Sequence, residues 1–342
     1  MEKPFTVGAK KLPGSLAEIE GEISAEEFQK YRAPAIKKLG ENLSLPGFRR
    51  GHIPEAVLVK HVSEMGLLEE MAELAIQRNY PEIIVECDLN VISYPEIKIT
   101  KLAAGNPLGF KAVVPIMPEI ILPDYKEIAA KENNKAPEKV ETDEKEVEAL
   151  MEEFRKNAGQ SNKDTDGNPI IPELDDDFAR GLGNFKNLAD LKEKAGEGIS
   201  KEKEMRVKDK KRLGILEEII KGTKMDLPEM IIASEISKMM AQFRADIEGA
   251  GLKFDEYLKR ASKTEETLRK EWREDAKKRA SFQLVLNKIA LAENIKATKE
   301  DVEKEAEHIL EHHPKANSNN ARAYAEMILS NEKVFEFLEN VK

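Results

Sequence analysis

Cysteine occurs once in these 342 residues, at Cys87, which excludes an intramolecular disulfide and a thiolate metal cluster. Between Val85 and Leu89 it reads as a small apolar filler. Aromatic residues make up only 6% of the chain, a profile that suits long charged helices with much surface better than an enzyme with one large core. No apolar run approaches the ~18 residues of a membrane-spanning helix. The stretch from Met1 to Leu12 carries lysines but no apolar core of a secretion signal, so the expected location is the cytoplasm or an equivalent reducing compartment, away from membranes. The phosphate-cradling pattern G-x-x-x-x-G-K-[ST] is missing, which leaves ATP hydrolysis without a seat. No Ser/His/Asp or Cys/His arrangement stands out either. The expectation is a protein without cofactor, metal or catalytic residues.

What the chain does have is charge. Asp and Glu number 65 against 55 Lys and Arg, a formal net charge of −10. Such a molecule repels nucleic acid at long range, so any RNA contact needs a local basic patch. The 40% hydrophobic content is too high for wholesale disorder. The length allows two or three domains at ~100–200 residues each.

Apolar spacing organises the chain. Ser15–Ser24 reads as a strand, with Leu16, Ile19 and Ile23 in imperfect phase. Ala25–Leu43 reads as a helix through Phe28, Ala33, Ile36 and Leu39. Pro54 can start the next helix, which runs over Ala56–Val85 with a break near Gly66. Val91–Thr100 and Leu108–Ile116 are strand-like, separated by the turn sequence Ala-Ala-Gly-Asn-Pro. The order strand–helix–helix–strand–strand predicts an α+β domain ending near Pro118. Pro118–Asp124 is an extended connector. Beyond it, Thr142 is a plausible cap for a helix with Val147, Leu150, Met151 and Phe154 on one face. From Asn187 onward amphipathic helices follow one another. Asp226 with Pro228 opens one carrying Ile232, Ile236, Met239, Met240, Phe243 and Ile247. Another runs through Leu268, Trp272, Leu284, Val285 and Ile289. Thr298-Lys-Glu-Asp301 is a capping box for a third, and Ala321–Leu338 makes the last.

The sharpest signal is Gly47-Phe48-Arg49-Arg50-Gly51, followed by Pro54. Its glycines permit tight positive-φ geometry. The tip would present one apolar ring and two guanidinium groups, which grip phosphates and stack on planar surfaces. Between residues 30 and 60, Lys30, Arg32, Lys37, Lys38, Arg49, Arg50 and Lys60 face only Glu41 and Glu55. An acidic chain thus carries a locally basic stretch, as docking on RNA requires.

In this loop the chain resembles the trigger factor family of ribosome-associated chaperones, whose ribosome-binding loop has the pattern Gly-Phe-Arg-x-Gly-x-x-Pro. Gly47 to Pro54 match it, and the flanking strand, helix and Pro-led helix match the setting. The similarity continues through Tyr94-Pro-Glu-Ile, the Pro118-Glu-Ile connector and, diffusely, the helical C-terminal part. The resemblance implies that Phe48, Arg49 and Arg50 touch ribosomal protein and RNA beside the exit tunnel, with Gly47, Gly51 and Pro54 shaping the loop. It implies a ribosome-binding domain over residues 1–117. It implies as well an elongated, mostly helical, substrate-binding chaperone domain with arms, connector included, over residues 118–342, and, as partners, the ribosome and nascent or unfolded polypeptides.

Members commonly carry a prolyl isomerase of the FK506-binding type. Here the helix ending near Asn157 is followed almost at once by Ile171-Pro-Glu-Leu-Asp-Asp-Asp-Phe178, which looks like re-entry into the helical body. The residues between are too few for a fold that needs more than ~40. Residues 159–170 read as a polar turn, since the ligand series that Asp164 and Asp166 begin does not continue as a calcium loop. The chain is therefore expected to be an ATP-independent holding chaperone rather than an enzyme. A ribosome-independent holdase and a peptidyl-prolyl isomerase are the alternatives, and a homodimer is left open.

Two further groups stand out. Met225, Met230, Met239, Met240 and Phe243 are candidate client contacts, because methionine adapts to many shapes, although a stripe at this spacing more often packs into its own bundle. His308, Glu311, His312 and His313 cluster before Pro314, but Ile309 stands where a zinc-protease pattern needs glutamate, and a solvated helix end is the better reading. The basic run from Lys201 to Arg212, interleaved with acids, suits a solvated helix face.

Overall fold

A computed structural model describes residues 3–43, 48, 52–136, 140–161, 171–314 and 316–342. The elements of the first part are β1 (Phe5–Leu12), β2 (Leu16–Ile23), α1 (Ala25–Gln29), α2 (Arg32–Asn42), α3 (Glu55–Glu86), β3 (Glu96–Lys101) and β4 (Leu108–Pro115). Helices follow: α4 (Tyr125–Asn133), α5 (Glu144–Ser161), α6 (Asp176–Leu182), α7 (Leu188–Gly222) and α8 (Glu229–Gly249). The last are α9 (Phe254–Arg260), α10 (Glu265–Glu271), α11 (Arg273–Ala292), α12 (Lys299–His312) and α13 (Ser318–Glu339). This is the expected α+β beginning followed by helices. None of the described helices is long and apolar enough to cross a membrane. The chain divides into two compact units, Met1–Ile121 with Lys224–Val285, and Leu122–Thr223 with Leu286–Lys342.

In the first unit the strands form one antiparallel sheet in the order β1-β2-β4-β3. β1 was not foreseen, because its pattern is mostly exposed and offers no apolar alternation to read. It is held instead by full pairing with β2, from Phe5↔Ile23 to Leu12↔Leu16. The imperfect phase of β2 also resolves. Ala17, Ile19 and Ile23 are fully buried on one face, and Gly21 takes the remaining inward position opposite Phe110. A Cβ there would lie 2.6 Å from Val7 Cγ1, 2.7 Å from the Thr6 carbonyl oxygen and 3.2 Å from the Phe110 ring, so glycine lets β1 approach this closely beside that ring. On β4, Leu108, Phe110, Ala112 and Val114 alternate inward with no exposure. Against this face α3 packs Leu67, Leu68, Met71, Ala72, Ala75, Ile76 and Ile83. Each large side chain so removed from water contributes about 1.5–3 kcal/mol. Cys87 lies half-buried at the edge of this core, where burial pushes its thiol pKa up.

The break in α3 falls at Ser63, which has φ 68° and ψ 160°, three residues before Gly66. The Ser63 hydroxyl accepts from the Gly66 amide at 3.2 Å and so caps the helix that restarts there.

Residues 224–285 of the same unit form two small cores. Ile232, Ile236 and Ala276 pack with Leu227 and Met239. Met240, Phe254, Leu258 and Leu268 pack with Phe243, Ile247, Tyr257 and Trp272. The helix expected through Leu268 and Ile289 is two, α10 and α11, meeting at Trp272.

In the second unit, Met151, Ala179 and Leu191 join α5, α6 and α7. The cap of α5 is Asp143 rather than Thr142. Its carboxylate accepts from the Lys145 amide at 3.2 Å, and Glu146 accepts from its amide at 3.1 Å. Thr298 caps α12 as expected, accepting from Asp301 at 3.2 Å, and α12 pairs with α13 through Ala306, Ala321 and Ala325. Arg212 departs from the expected solvated face. It is 9% exposed, donates to both carboxylate oxygens of Glu332 at 2.8 and 2.6 Å, and reaches Glu339 at 2.7 Å. Phe335 lies beneath its guanidinium at 5.1 Å. The acids that claim it are some 120 residues away in the chain, beyond the reach of any local charge pattern.

Candidate functional site

The loop singled out in the sequence joins α2 to α3. Gly47, Arg49, Arg50 and Gly51 lie outside the described residues, as does the polar turn from residue 162 to 170. Phe48 is described, and its side chain is 40% exposed. The return of the chain is firmly held. Ile53 is 7% exposed and Leu58 fully buried, while Pro54 stands at the N-cap of α3 with φ −61° and ψ 143°. Proline fits this start because it has no amide to leave unsatisfied, and its carbonyl accepts from Val57 and Leu58 at 2.9 and 3.0 Å.

The charges around the loop are less one-sided than the sequence interval implies. Arg32 donates to Glu55 at 2.8 Å and to Glu64 at 2.9 Å. In a straight helix nine residues rise by roughly 13 Å; the break at Ser63 lets both acids meet one guanidinium. Lys38 pairs with Glu70 at 2.6 Å and more loosely with Glu73 at 3.5 Å. Lys30 pairs with Glu27 at 2.8 Å, whose carboxyl that contact holds below its ordinary pKa. Four acids from outside the interval thus answer three of its cations. Lys37 and Lys60 remain exposed.

The candidate client contacts separate by environment. Met240 is 4% exposed. Phe243 sits at the centre of an aromatic cluster, edge-on to Phe254, Tyr257 and Trp272 at 6.0, 5.4 and 5.3 Å. Met239 packs in the neighbouring core, and Met225 is half-buried. Met230 alone of the five is well exposed, at 41%. His308 and His312 meet edge to face at 4.8 Å on α12, and among the described residues no group of three metal-ligating side chains converges.

One feature escaped the sequence reading. A groove of about 490 Å³ opens between α3 and β3, lined by Ile76, Tyr80, Tyr94, Ile97 and Ile99 with Glu69 and Glu73 at its helix side. The alternation of Ile97 and Ile99 marks a strand, but nothing in it tells that this strand is an uncovered edge. Beneath the groove the Tyr80 hydroxyl is buried with no hydrogen-bond partner among the described residues, and burial pushes its pKa up to about 12.

A family signature described as bacterial trigger factor protein (TF) matches residues 5–154, and one described as its C-terminus matches residues 187–339. Only residues 155–186 lie between. The trigger factor of Caldicellulosiruptor bescii is 27% identical over 373 residues, covering 85% of this chain and 84% of that protein. That of Geobacillus kaustophilus is 25% identical over 391 residues, covering 90% and 91%. A solved structure described as "Promiscuous Substrate Recognition in Folding and Assembly Activities of the Trigger Factor Chaperone" aligns with a TM-score of 0.57. It covers 98% of this chain and 100% of that one at 17% identity, a likeness of fold.

Proposed function

Because this chain belongs to the trigger factor family, we propose that it is an ATP-independent chaperone. Its α2–α3 loop docks on the ribosome beside the exit tunnel, and its helical segments hold nascent or unfolded polypeptides. The observation that carries the docking is the contrast between Phe48, 40% exposed, and Ile53 and Leu58, buried just after it. A large ring kept in water on a well-anchored support is suited to enter a partner's surface. Arg49 and Arg50 would add phosphate contacts, and Gly47, Gly51 and Pro54 would shape the tip.

Holding is passive in this reading. Apolar side chains of a client leave water at about 25 cal/mol per Å², and many weak contacts release it without a nucleotide. Residues 1–117 carry the docking loop, and residues 118–342 form the helical client-holding part, with Met230 the most exposed of the candidate contacts there. The short interval between the two family matches favours a holding chaperone without the isomerase domain, and we place it in the cytoplasm, where nascent chains emerge.

Ribosome cosedimentation tests the docking. The triple variant Phe48→Ala/Arg49→Ala/Arg50→Ala is expected to leave the pellet while still suppressing aggregation of an unfolded protein. Equal pelleting would sink the loop assignment. Proline-specific acceleration of refolding would bring back the isomerase reading.

A further inference from the structure

The inner face of the sheet extends past its helical cover. Ile97 and Ile99 stand opposite Ala112 and Phe110 in the β3–β4 register. Directly opposed residues of an antiparallel pair project to the same face, so both isoleucines belong to the core face. Their β4 partners are fully buried, whereas Ile97 and Ile99 are 38% and 43% exposed. β3 is also the edge of the sheet, bonded to β4 alone, and an edge strand offers amide and carbonyl groups for pairing. Tyr94, 94% exposed, stands at the entrance. The ionisable groups lining the groove are acids and phenols, with no lysine or arginine among them. Glu69 forms no ion pair among the described residues, and Glu73 is met only at 3.5 Å by Lys38, whose nearer partner is Glu70 at 2.6 Å.

We propose that this groove binds an extended polypeptide segment, apolar with lysine or arginine at its flanks, as a strand added to β3 beside α3. Alternate apolar side chains of the segment would face Ile76, Ile97 and Ile99, which is the geometry of strand addition with side-chain pockets. Its basic flanks would meet Glu69 and Glu73, where a net acidic rim favours the oppositely charged partner. The proposal rests on the chaperone reading above but not on the docking loop.

Fluorescence anisotropy with the full chain and a labelled peptide alternating valine and threonine between lysine ends tests it. Binding is expected to fall at least about tenfold when the lysines become glutamates, and to vanish when the alternate amides along one edge of the peptide are N-methylated while surviving methylation of the opposite, solvent-facing edge. Tyr94→Ala and Ile97→Thr should each weaken it about fivefold to tenfold; the first lies in water and the second keeps strand propensity, so folding is preserved. Failure of the parent to bind, unchanged binding by both variants, or full binding of both N-methylated peptides overturns the proposal. Self-association abolished by the same variants, without peptide binding, would give the groove to a second copy and also overturn it. Aggregation suppression separates the two readings: if it persists while the groove variants bind peptide normally, only the groove assignment falls.

Discussion

The guanidinium of Arg32, at the first turn of α2, holds Glu55, at the first turn of α3, at 2.8 Å. These two helices carry the ends of the loop that bears Phe48, so the pair ties the loop's two supports together from residues 23 apart. Arg32→Ala is expected to lower the unfolding free energy in urea by about 1 kcal/mol, because the pairs it makes are partly exposed. Ribosome cosedimentation should weaken as well, by less than with the triple loop variant. Undiminished docking would mean that the latch does not position the loop.

Arg212 is the most enclosed cation described in the second unit. Arg212→Ala leaves Glu332 and Glu339 facing each other without their shared partner, and should cost about 2–4 kcal/mol, the lower end because Glu332 still sees water. The contact with Arg212 holds the Glu332 carboxyl below its ordinary 4.5. A carboxyl lowered in the folded state contributes its full stability above its ordinary value and loses it as pH falls through the folded value. Urea midpoints of the parent should therefore drop more steeply than those of the variant as pH falls below the ordinary 4.5. Parallel acid profiles would refute the coupling.

Tyr80 gives the opposite pH dependence. Its phenol ionises near 12 in the folded chain against an ordinary 10.0, so above pH 10 the unfolded chain releases a proton the folded one keeps. Stability must fall across pH 10 to 12, and Tyr80→Phe should flatten that fall. Near neutrality the same variant is expected to be neutral or stabilising by up to about 1 kcal/mol, since it removes a buried hydroxyl that has no partner among the described residues. Thermal melts at both pH values check this.

Two methionines ten residues apart on α8 should behave differently. Met240→Ala is expected to cost about 2–4 kcal/mol by opening a cavity and to change the fluorescence of Trp272, whose ring is edge-on to Phe243 in the same core. Met230→Ala should leave stability within about 0.5 kcal/mol while weakening the capture of an unfolded protein. If Met230→Ala leaves capture intact and Met240→Ala abolishes it without unfolding, the division between core and client contact is reversed.

Local chemistry carried much of the reading. Pro54 and Pro228 do stand at helix starts, Thr298 does cap α12, and the alternation from Leu108 onward is a buried strand. Each depends on residues within a turn or two of one another. β1 was missed because its fully paired strand shows water most of its side chains, and the α3 break was displaced to Ser63 because a serine rather than the glycine takes the positive φ.

The amino-acid sequence by itself determined where helices begin, which stretches alternate, and the loop pattern that points to the family. Only the tertiary structure decided which apolar residues stay wet, so that Ile97 is half-open while Ala112 opposite it is sealed. It also decided which charges are spent inside the molecule, as with Arg32 and Arg212. The reason is physical: burial and ion pairing depend on what another part of the chain brings to the site, and those partners lie tens to more than a hundred residues away.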